Sequence, residues 1–267
     1  MTPTVVSPTQ AVPNMTPDYE VRVLLNPTKV LSSEHELTKT VLSTFDMDPP
    51  TITKINVQFL DTCSKDIYTA GWSPRIRKTE NEDEFELTYK KRYAITGGDI
   101  DAALTTANTD GFDHGDKKYK AQVEWGYRKQ TLSISRKKTI VDSGNSGTDL
   151  PGTSKSRKML IDEAPDKFDN WYHKKWGTSA LKISRIFGPV LVKRSVGKWN
   201  GMPLYIEVWP ILKSEGTGIE YIIEASFKTE NRTTASAELH NLVAKLKSED
   251  WFLPEDSLKT QLIMERY

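Results

Sequence analysis

Cysteine is almost absent from the chain. Cys63 is the one thiol among 267 residues, which excludes an intramolecular disulfide and any metal site built from several cysteines. A reducing, cytoplasmic location is the expectation. Cys63 lies in no nucleophile motif and reads as a buried or half-buried structural thiol. Histidine is scarce too: the four, at 35, 114, 173 and 240, stand singly, with no pair at metal-ligand spacing. No run approaches the ~20 apolar residues of a membrane span. Residues 1–17 are rich in Pro, Thr and Val but lack the basic start and apolar run of a signal peptide, and we read them as a flexible tail. An excess of one charge is also missing. Lys and Arg number 37 against 36 Asp and Glu, a formal net charge of +1, so nucleic acid and membrane surfaces are excluded as generic partners. Any anion binding must be local.

What the chain has instead is alternation. The segments Tyr19–Leu25, Arg75–Arg77, Phe85–Arg92, Leu204–Ile211 and Tyr221–Lys228 each carry a clean apolar face and an opposite face with charges of both signs. In Phe85–Arg92 the period of two puts Phe85, Leu87 and Tyr89 on one side and Glu86, Thr88, Lys90 and Arg92 on the other. Ile55, Val57 and Phe59 alternate with Asn56 and Gln58. Val123–Tyr127 and Thr131–Lys138 read as a strand pair or one long bulged strand, and Val190–Val196 completes the set.

Helical signals are fewer. Ser33-Glu34-His35-Glu36 has the form of a capping box and predicts a helix carrying Leu37, Val41 and Phe45 at spacing four. A second helix is expected from near Asp162, burying Phe168, Trp171, Tyr172 and Trp176. The last, about Ala235 to Lys247, places Leu239, Leu242, Val243 and Leu246 on one face. Gly97–Asp116 reads as a polar connection with one short helix, and 141–158, rich in Ser, Gly, Thr and Asp, as a loop insertion.

Seven or eight strands with so few helices predict an α+β, mainly β, fold: a closed antiparallel barrel of about eight strands over residues 18–267, with helices packed outside. If the apolar faces are covered, the charged faces line a wet lumen; the competing reading is an open sheet with solvated charges. Parity assigns to the lumen Glu20, Arg22, Arg75, Arg77, Glu86, Lys90, Arg92, Glu124, Arg128, Glu207, Glu224 and Lys228. Parity also turns Leu24, Leu60, Tyr205, Trp209, Ile211 and Ile222 inward, giving an apolar end suited to an amphipathic organic phosphate, with Tyr205 and Trp209 as stacking surfaces. The alternative is that these residues plug part of the barrel. Ser133, Ser135 and Lys137 face in unless a bulge substitutes Arg136; Lys193 and Arg194 stay open as alternatives.

At these residues the chain resembles the CYTH superfamily of triphosphate tunnel enzymes, which includes thiamine triphosphatases, inorganic triphosphatases and class IV adenylyl cyclases. Ser73-Pro74-Arg75-Ile76-Arg77 is similar to that family's Arg-x-Arg strand, and Glu86-Leu87-Thr88-Tyr89-Lys90 to its Leu-Thr-x-Lys strand. Tyr205-Ile206-Glu207-Val208 and Tyr221-Ile222-Ile223-Glu224 resemble later strands that present acids inward. The resemblance implies that Arg75, Arg77 and Lys90 contact phosphates and that Glu207 or Glu224 helps hold Mg²⁺ or Mn²⁺. It departs from the family in the first strand, where Glu-x-Glu-x-Lys is replaced by Glu20-Val21-Arg22-Val23-Leu24.

Two functions follow as expectations. One is a metal-dependent phosphohydrolase with catalytic Lys90 and Glu207. Its substrate would be bound by Arg22, Arg75, Arg77, Lys90, Arg92, Arg128, Tyr205 and Trp209, and its metal by Glu20, Glu207 and Glu224. The other is a metal-free pocket, a binding module or a repurposed isomerase or cyclase, in which Arg22 takes the metal's place. Either takes a small anionic ligand as its partner.

Overall fold

The computed structural model describes residues 12–47, 49, 51–141 and 147–267. Residues 1–11 of the expected tail and 142–146 of the expected insertion lie outside them. The strands are β1 (Asp18–Leu25), β2 (Ile52–Asp61), β3 (Trp72–Thr79), β4 (Glu84–Ala94), β5 (Lys120–Trp125), β6 (Gln130–Val141), β7 (Arg185–Trp199), β8 (Met202–Leu212), β9 (Ile219–Thr229) and β10 (Phe252–Leu253). The helices are α1 (Pro27–Val30), α2 (Lys39–Thr44), α3 (Asp66–Thr69), α4 (Ile100–Thr109), α5 (Thr153–Asp162), α6 (Asp166–Asp169), α7 (Trp176–Lys182), α8 (Arg232–Ser248) and α9 (Lys259–Arg266).

Nine strands close a barrel in the order β1-β5-β6-β4-β3-β2-β7-β8-β9, sealed by antiparallel pairing of β9 with β1 from Tyr19–Thr229 to Leu25–Ile223. The expected barrel of about eight strands is present with nine, and it is mixed: β1 runs parallel to β5, with Tyr19 opposite Val123. The two-residue β10 takes over from β5 along the same edge of β1. Val123–Tyr127 and Thr131–Lys138 resolve as the antiparallel hairpin β5–β6.

Outward-facing side chains are covered by helices, as alternation requires. On β3 and β4, Trp72 and Tyr89 pack against Phe168 of α6 with ring centroids 5.4 and 5.3 Å apart, and the Tyr89 hydroxyl donates to the Leu160 carbonyl of α5. Helix α8 buries Ala235, Leu239, Leu242, Val243 and Leu246 in the same core as Val21, Val23 and Leu25. No helix among the described residues is long and apolar enough to cross a membrane.

The helical expectations need correction. Helix α2 starts at Lys39 behind the Thr38 cap, while Ser33–Glu36 forms a turn with His35 at φ 59°. Ser32 Oγ, not Ser33, accepts from Glu34 and Glu36 N–H there. The helix expected near Asp162 is split into α5, α6 and α7, so α5 occupies the end of the expected loop insertion. Phe168 is buried but Tyr172 is exposed. The polar connection after Gly97 holds the ten-residue α4. Cys63 is exposed rather than buried.

Strand β2 reverses the rule seen on β3 and β4. Its polar residues face outward, where Gln58 Nε2 donates to the Pro151 carbonyl and Ser156 Oγ at 3.1 and 2.9 Å and Asn56 Nδ2 donates to the Thr148 carbonyl at 3.0 Å. Leu60 belongs to the outer core too, against the inward parity expected of it. Ile55, Val57 and Phe59 therefore face in, joining Val190, Val192, Trp209 and Ile211 in a second apolar cluster. That cluster is completed by Ile263 and Met264 of α9, 0% and 2% exposed. So α9 is not an outer helix: it packs on the inner wall formed by β2, β7 and β8, and the apolar end of the lumen is filled by the chain itself.

A close approach of β7 to the α2 end fixes one wall. Lys198 N–H donates to the Phe45 carbonyl at 2.8 Å, and any Cβ at Gly197 would overlap that carbonyl oxygen. Gly197→Ala is expected to destabilise by about 1–3 kcal/mol, the usual overpacking range, and to lower Tm by roughly 2–12 °C, measured by thermal unfolding.

Candidate functional site

The remaining lumen is charged, and its charges are held by strand register. Arg75 and Arg77 on β3 face Thr88 and Glu86 on β4. Arg22 on β1 faces Ser226 of β9, and Glu207 on β8 faces Glu224 on β9. Arg194 of β7 faces Glu207, which settles the Lys193/Arg194 alternative: Lys193 points outward to Glu36 at 3.2 Å. No bulge interrupts β6, so Lys137 faces in and reaches Glu86 at 2.7 Å. Of the lumen residues expected by parity, Leu60 faces the outer core and Arg128 is exposed in the β5–β6 turn, its ring contact being with Tyr127. Lys228 is exposed and paired with Glu20; the other charged side chains are gathered.

Three carboxylate centres organise the site. At the first, Glu124 accepts from Lys90 at 2.8 Å and Arg22 at 3.0 Å, with Arg92 at 3.7 Å. Burial opposes its charge, but the three cations outweigh burial and hold the carboxyl well below the usual carboxylate range. At the second, Glu86 meets Arg75 at 3.5 Å, Arg77 at 3.6 Å and Lys137. Here too burial is overcome, and the carboxyl is held at about 2. At the third, Glu207 Oε1 accepts from Arg194 Nε and Nη2 at 2.9 and 2.6 Å, while Oε2 accepts from Trp209 Nε1 at 2.8 Å and Lys259 Nζ at 3.3 Å. The same ammonium donates to Glu224. Glu20 stands apart, paired with Lys228 at 3.5 Å.

Around Glu86, Glu124, Glu207 and Glu224 stand Arg22, Arg75, Arg77, Lys90, Arg92, Lys137, Arg194 and Lys259, eight cations to four carboxylates. The surplus is visible in two ways. The Nε–H groups of Arg22, Arg75, Arg77 and Arg92 are buried and donate to nothing among the described residues. Burial, reinforced by Arg77, pushes the Arg75 guanidinium down, and burial pushes the Lys90 ammonium down to about 8 against the pull of Glu124. Buried donors without partners are a standing penalty, which an anion would relieve.

Glu224 is different from the other acids. Burial raises its carboxyl above the usual range, and Lys259 and Arg22 do not bring it back. It borders a cavity of about 70 Å³ shared with Arg22, Leu24, Ser257 and Gln261. The segment that carries Lys259 is anchored at that mouth: Asp256 accepts backbone N–H bonds from Tyr127, Arg128 and Lys129 at 2.7, 2.7 and 2.9 Å, an approach that the missing side chain of Gly126 permits.

The residues do not fit a divalent ion as the resemblance implies. Both oxygens of Glu207 and one of Glu224 are already bonded to cationic or N–H donors. Glu20 lies four residues from Leu24, the partner of Glu224, about 13 Å along β1, with Arg22 between. Among the described residues no group of three His, Cys, Asp or Glu side chains could hold a metal. Sequence reading missed Lys259 altogether: its helix is too short, and too mixed in composition, to announce that it faces a lumen.

Because the folded value of Glu86 lies below the ~4.3 of an unfolded glutamate, its pairing stabilises fully above about pH 5 and is lost as pH falls towards 2. Denaturant unfolding is expected to show stability falling over that window, and Glu86→Gln to flatten the fall.

No protein-family model and no curated protein matches the sequence. Solved structures do match. A candidate adenylyl cyclase from Hippeastrum with a dominant triphosphatase activity superposes with TM-score 0.50 at 12% identity, covering 93% of this chain and 99% of the other. A candidate adenylate cyclase from Bacillus halodurans superposes with TM-score 0.52 at 11% identity, covering 94% and 98%. At such identities the likeness speaks for the backbone alone, and with the barrel closed by β1 and β9 it gives the architecture: the chain has the closed-barrel fold of these two proteins.

Proposed function

We propose that this tunnel binds the polyphosphate part of a small phosphorylated substrate and hydrolyses a phosphoanhydride bond, with the chain's own cations in place of a protein-held metal. The observation that carries the reading is the surplus of positive charge in the lumen, seven buried or half-buried cations and the exposed Lys137 against four carboxylates, with four buried guanidinium Nε–H groups that make no hydrogen bond among the described residues. A tripolyphosphate has the charge and the acceptor oxygens to absorb both. The activity of the Hippeastrum protein is in keeping with it.

The residues divide the work. Arg22, Arg75, Arg77 and Arg92 clamp phosphate oxygens and neutralise charge that grows on the leaving phosphate. Lys90, charged at neutral pH yet pushed down to about 8, is matched to give a proton to the departing oxygen. Glu224 is the carboxylate best suited to take one from water, because burial makes it the strongest base of the four, and the adjoining cavity has room for that water. Water oxygen attacks phosphorus, the bridging P–O bond breaks, and the proton lost to Glu224 is balanced by the one delivered from Lys90. Glu207, expected to be catalytic, is committed to Arg194, Trp209 and Lys259 and serves to position them. Arg194 lies over the Tyr205 ring at 5.5 Å and Lys259 over the Trp209 ring at 4.9 Å, so one face of each ring is taken by the chain's own cation.

Since α9 fills the apolar end, tripolyphosphate and nucleoside triphosphates are expected to be cleaved in preference to prenyl diphosphates, read as phosphate release with Mg²⁺, Mn²⁺ or chelator. Lys90→Ala should lower kcat by about 10²–10⁴. Lys90→Arg keeps the charge but gives up no proton near neutral pH, so it should keep KM, lower kcat, and lose the fall in rate above about pH 8 that deprotonation of Lys90 imposes. Tight binding without turnover of any of these substrates would make the barrel a binding module instead.

Ligand-free stability gives an independent check. Arg75→Met relieves a buried cation pressed against Arg77 and is expected to raise Tm, while tripolyphosphate at 100 times its Kd should stabilise the native protein by about 2.7 kcal/mol and the variant by less. A fall in Tm for Arg75→Met would show that Glu86 needs Arg75 more than the site is strained by it.

A further inference from the structure

The two carboxylates on which the resemblance would hang a metal share one ammonium. Glu207 and Glu224 are Cα partners on β8 and β9, and Lys259 Nζ bonds Oε2 of the first and Oε1 of the second. It also lies over the Trp209 ring, 4.9 Å from its centroid. A cation between two acids, closed on a third side by an aromatic face, is bound as a small ion would be.

The helix that delivers it is fixed rather than docked loosely. At its start, Asp256 is held by the three backbone N–H groups of the β5–β6 turn. In its middle, Thr260 Oγ1 accepts from Arg92 at 3.4 Å, and Ile263 and Met264 are buried in the inner apolar cluster. At its far end Arg266 pairs with Glu220 and donates to the Leu212 carbonyl at 2.9 Å, the Tyr267 hydroxyl accepts from Leu212 N–H at 3.1 Å, and Arg185 donates to the Tyr267 carbonyl at 2.7 Å. Anchors on four strands and a turn set the ammonium's position as firmly as any strand residue's.

We propose that Lys259 is a resident cation: a positioning residue that holds Glu207 and Glu224 in the place a divalent ion would take, and by its presence denies that place to one. Arg22 completes the exchange on β1, where an arginine stands at the position of the second acid of the first-strand motif. The geometry of the acid pair carries this role whether or not the reaction proposed above takes place.

The test reads metal directly. Mn²⁺ is titrated into the full chain and free ion is followed by electron paramagnetic resonance, with thermal unfolding in parallel, for the native protein, Lys259→Gln, Lys259→Met and Lys259→Gln combined with Glu224→Gln. The expected result is no site in the native protein, one site per chain at least about tenfold tighter in the two single variants, a rise of Tm with Mn²⁺ in those variants only, and loss of the gained site in the double variant. Mn²⁺ bound by the native protein and lost on Glu224→Gln would overturn the proposal, as would failure of both single variants to gain a site. If removing the ammonium unfolds the chain, Mn²⁺ restores the fold under this proposal, and failure to restore it overturns the proposal. Because no turnover is measured, an inactive tunnel and a mistaken role for Lys259 give different results.

Discussion

On β3 and β4 the outward side chains are buried under helices, and that constraint sends charge inward. On β3 and β4 the apolar faces are taken by Trp72, Tyr89 and Phe85, so Arg75, Arg77, Glu86, Lys90 and Arg92 share the interior. Once inside, each ion loses hydration and must find its complement across the lumen. Glu86, Glu124 and Glu207 answer by remaining ionised against burial. The interior still ends with more cations than acids, and that imbalance is what the proposed anion binding would relieve. Stability and binding draw on one set of contacts here.

The lumen also divides along its length. Strands β2, β7 and β8 turn Ile55, Val57, Phe59, Val190, Val192, Trp209 and Ile211 inward, and α9 covers them; strands β1, β3, β4, β5 and β6 turn charge inward. An apolar wall alone would favour an organic tail, but with Ile263 and Met264 already seated on it the open part is the charged part. Under the proposed function, substrate choice follows from which residues the fold supplies to itself.

Much of this was legible in the sequence where period-two alternation is strict. Phe85–Arg92 has a single consistent parity, and Glu86, Lys90 and Arg92 are where it puts them. Legibility fails where burial is two-sided. In Ile55–Phe59 both faces are covered, one by the segment that Asn56 and Gln58 hold and the other by α9, so alternation identifies a strand without telling which face is the lumen, and Leu60 was turned the wrong way. Arg128 was misplaced because a strand was carried past Gly126 into a turn. The Ser33–Glu36 turn shows the limit of capping patterns: the residues match, but the helix begins only at Thr38. Lys259 carries no local signal, since its role depends on two acids more than thirty residues earlier.

The seam between β1 and β9 places Tyr19 against Thr229, and the parallel contact of β1 with β5 reaches from Tyr19 to Val123. The first strand therefore has no partner nearby in sequence on either side. Loop-closure entropy must be lost before these pairings return any free energy, so β1 joins a sheet whose other strands are mostly sequential hairpins. Joining the two ends of that sheet through β1 carries the largest loop-closure cost, and it is also what creates an interior: until β1 is in place, Glu124 lies on an open edge of the sheet, Arg22 on an unpaired segment, and they have no lumen to share.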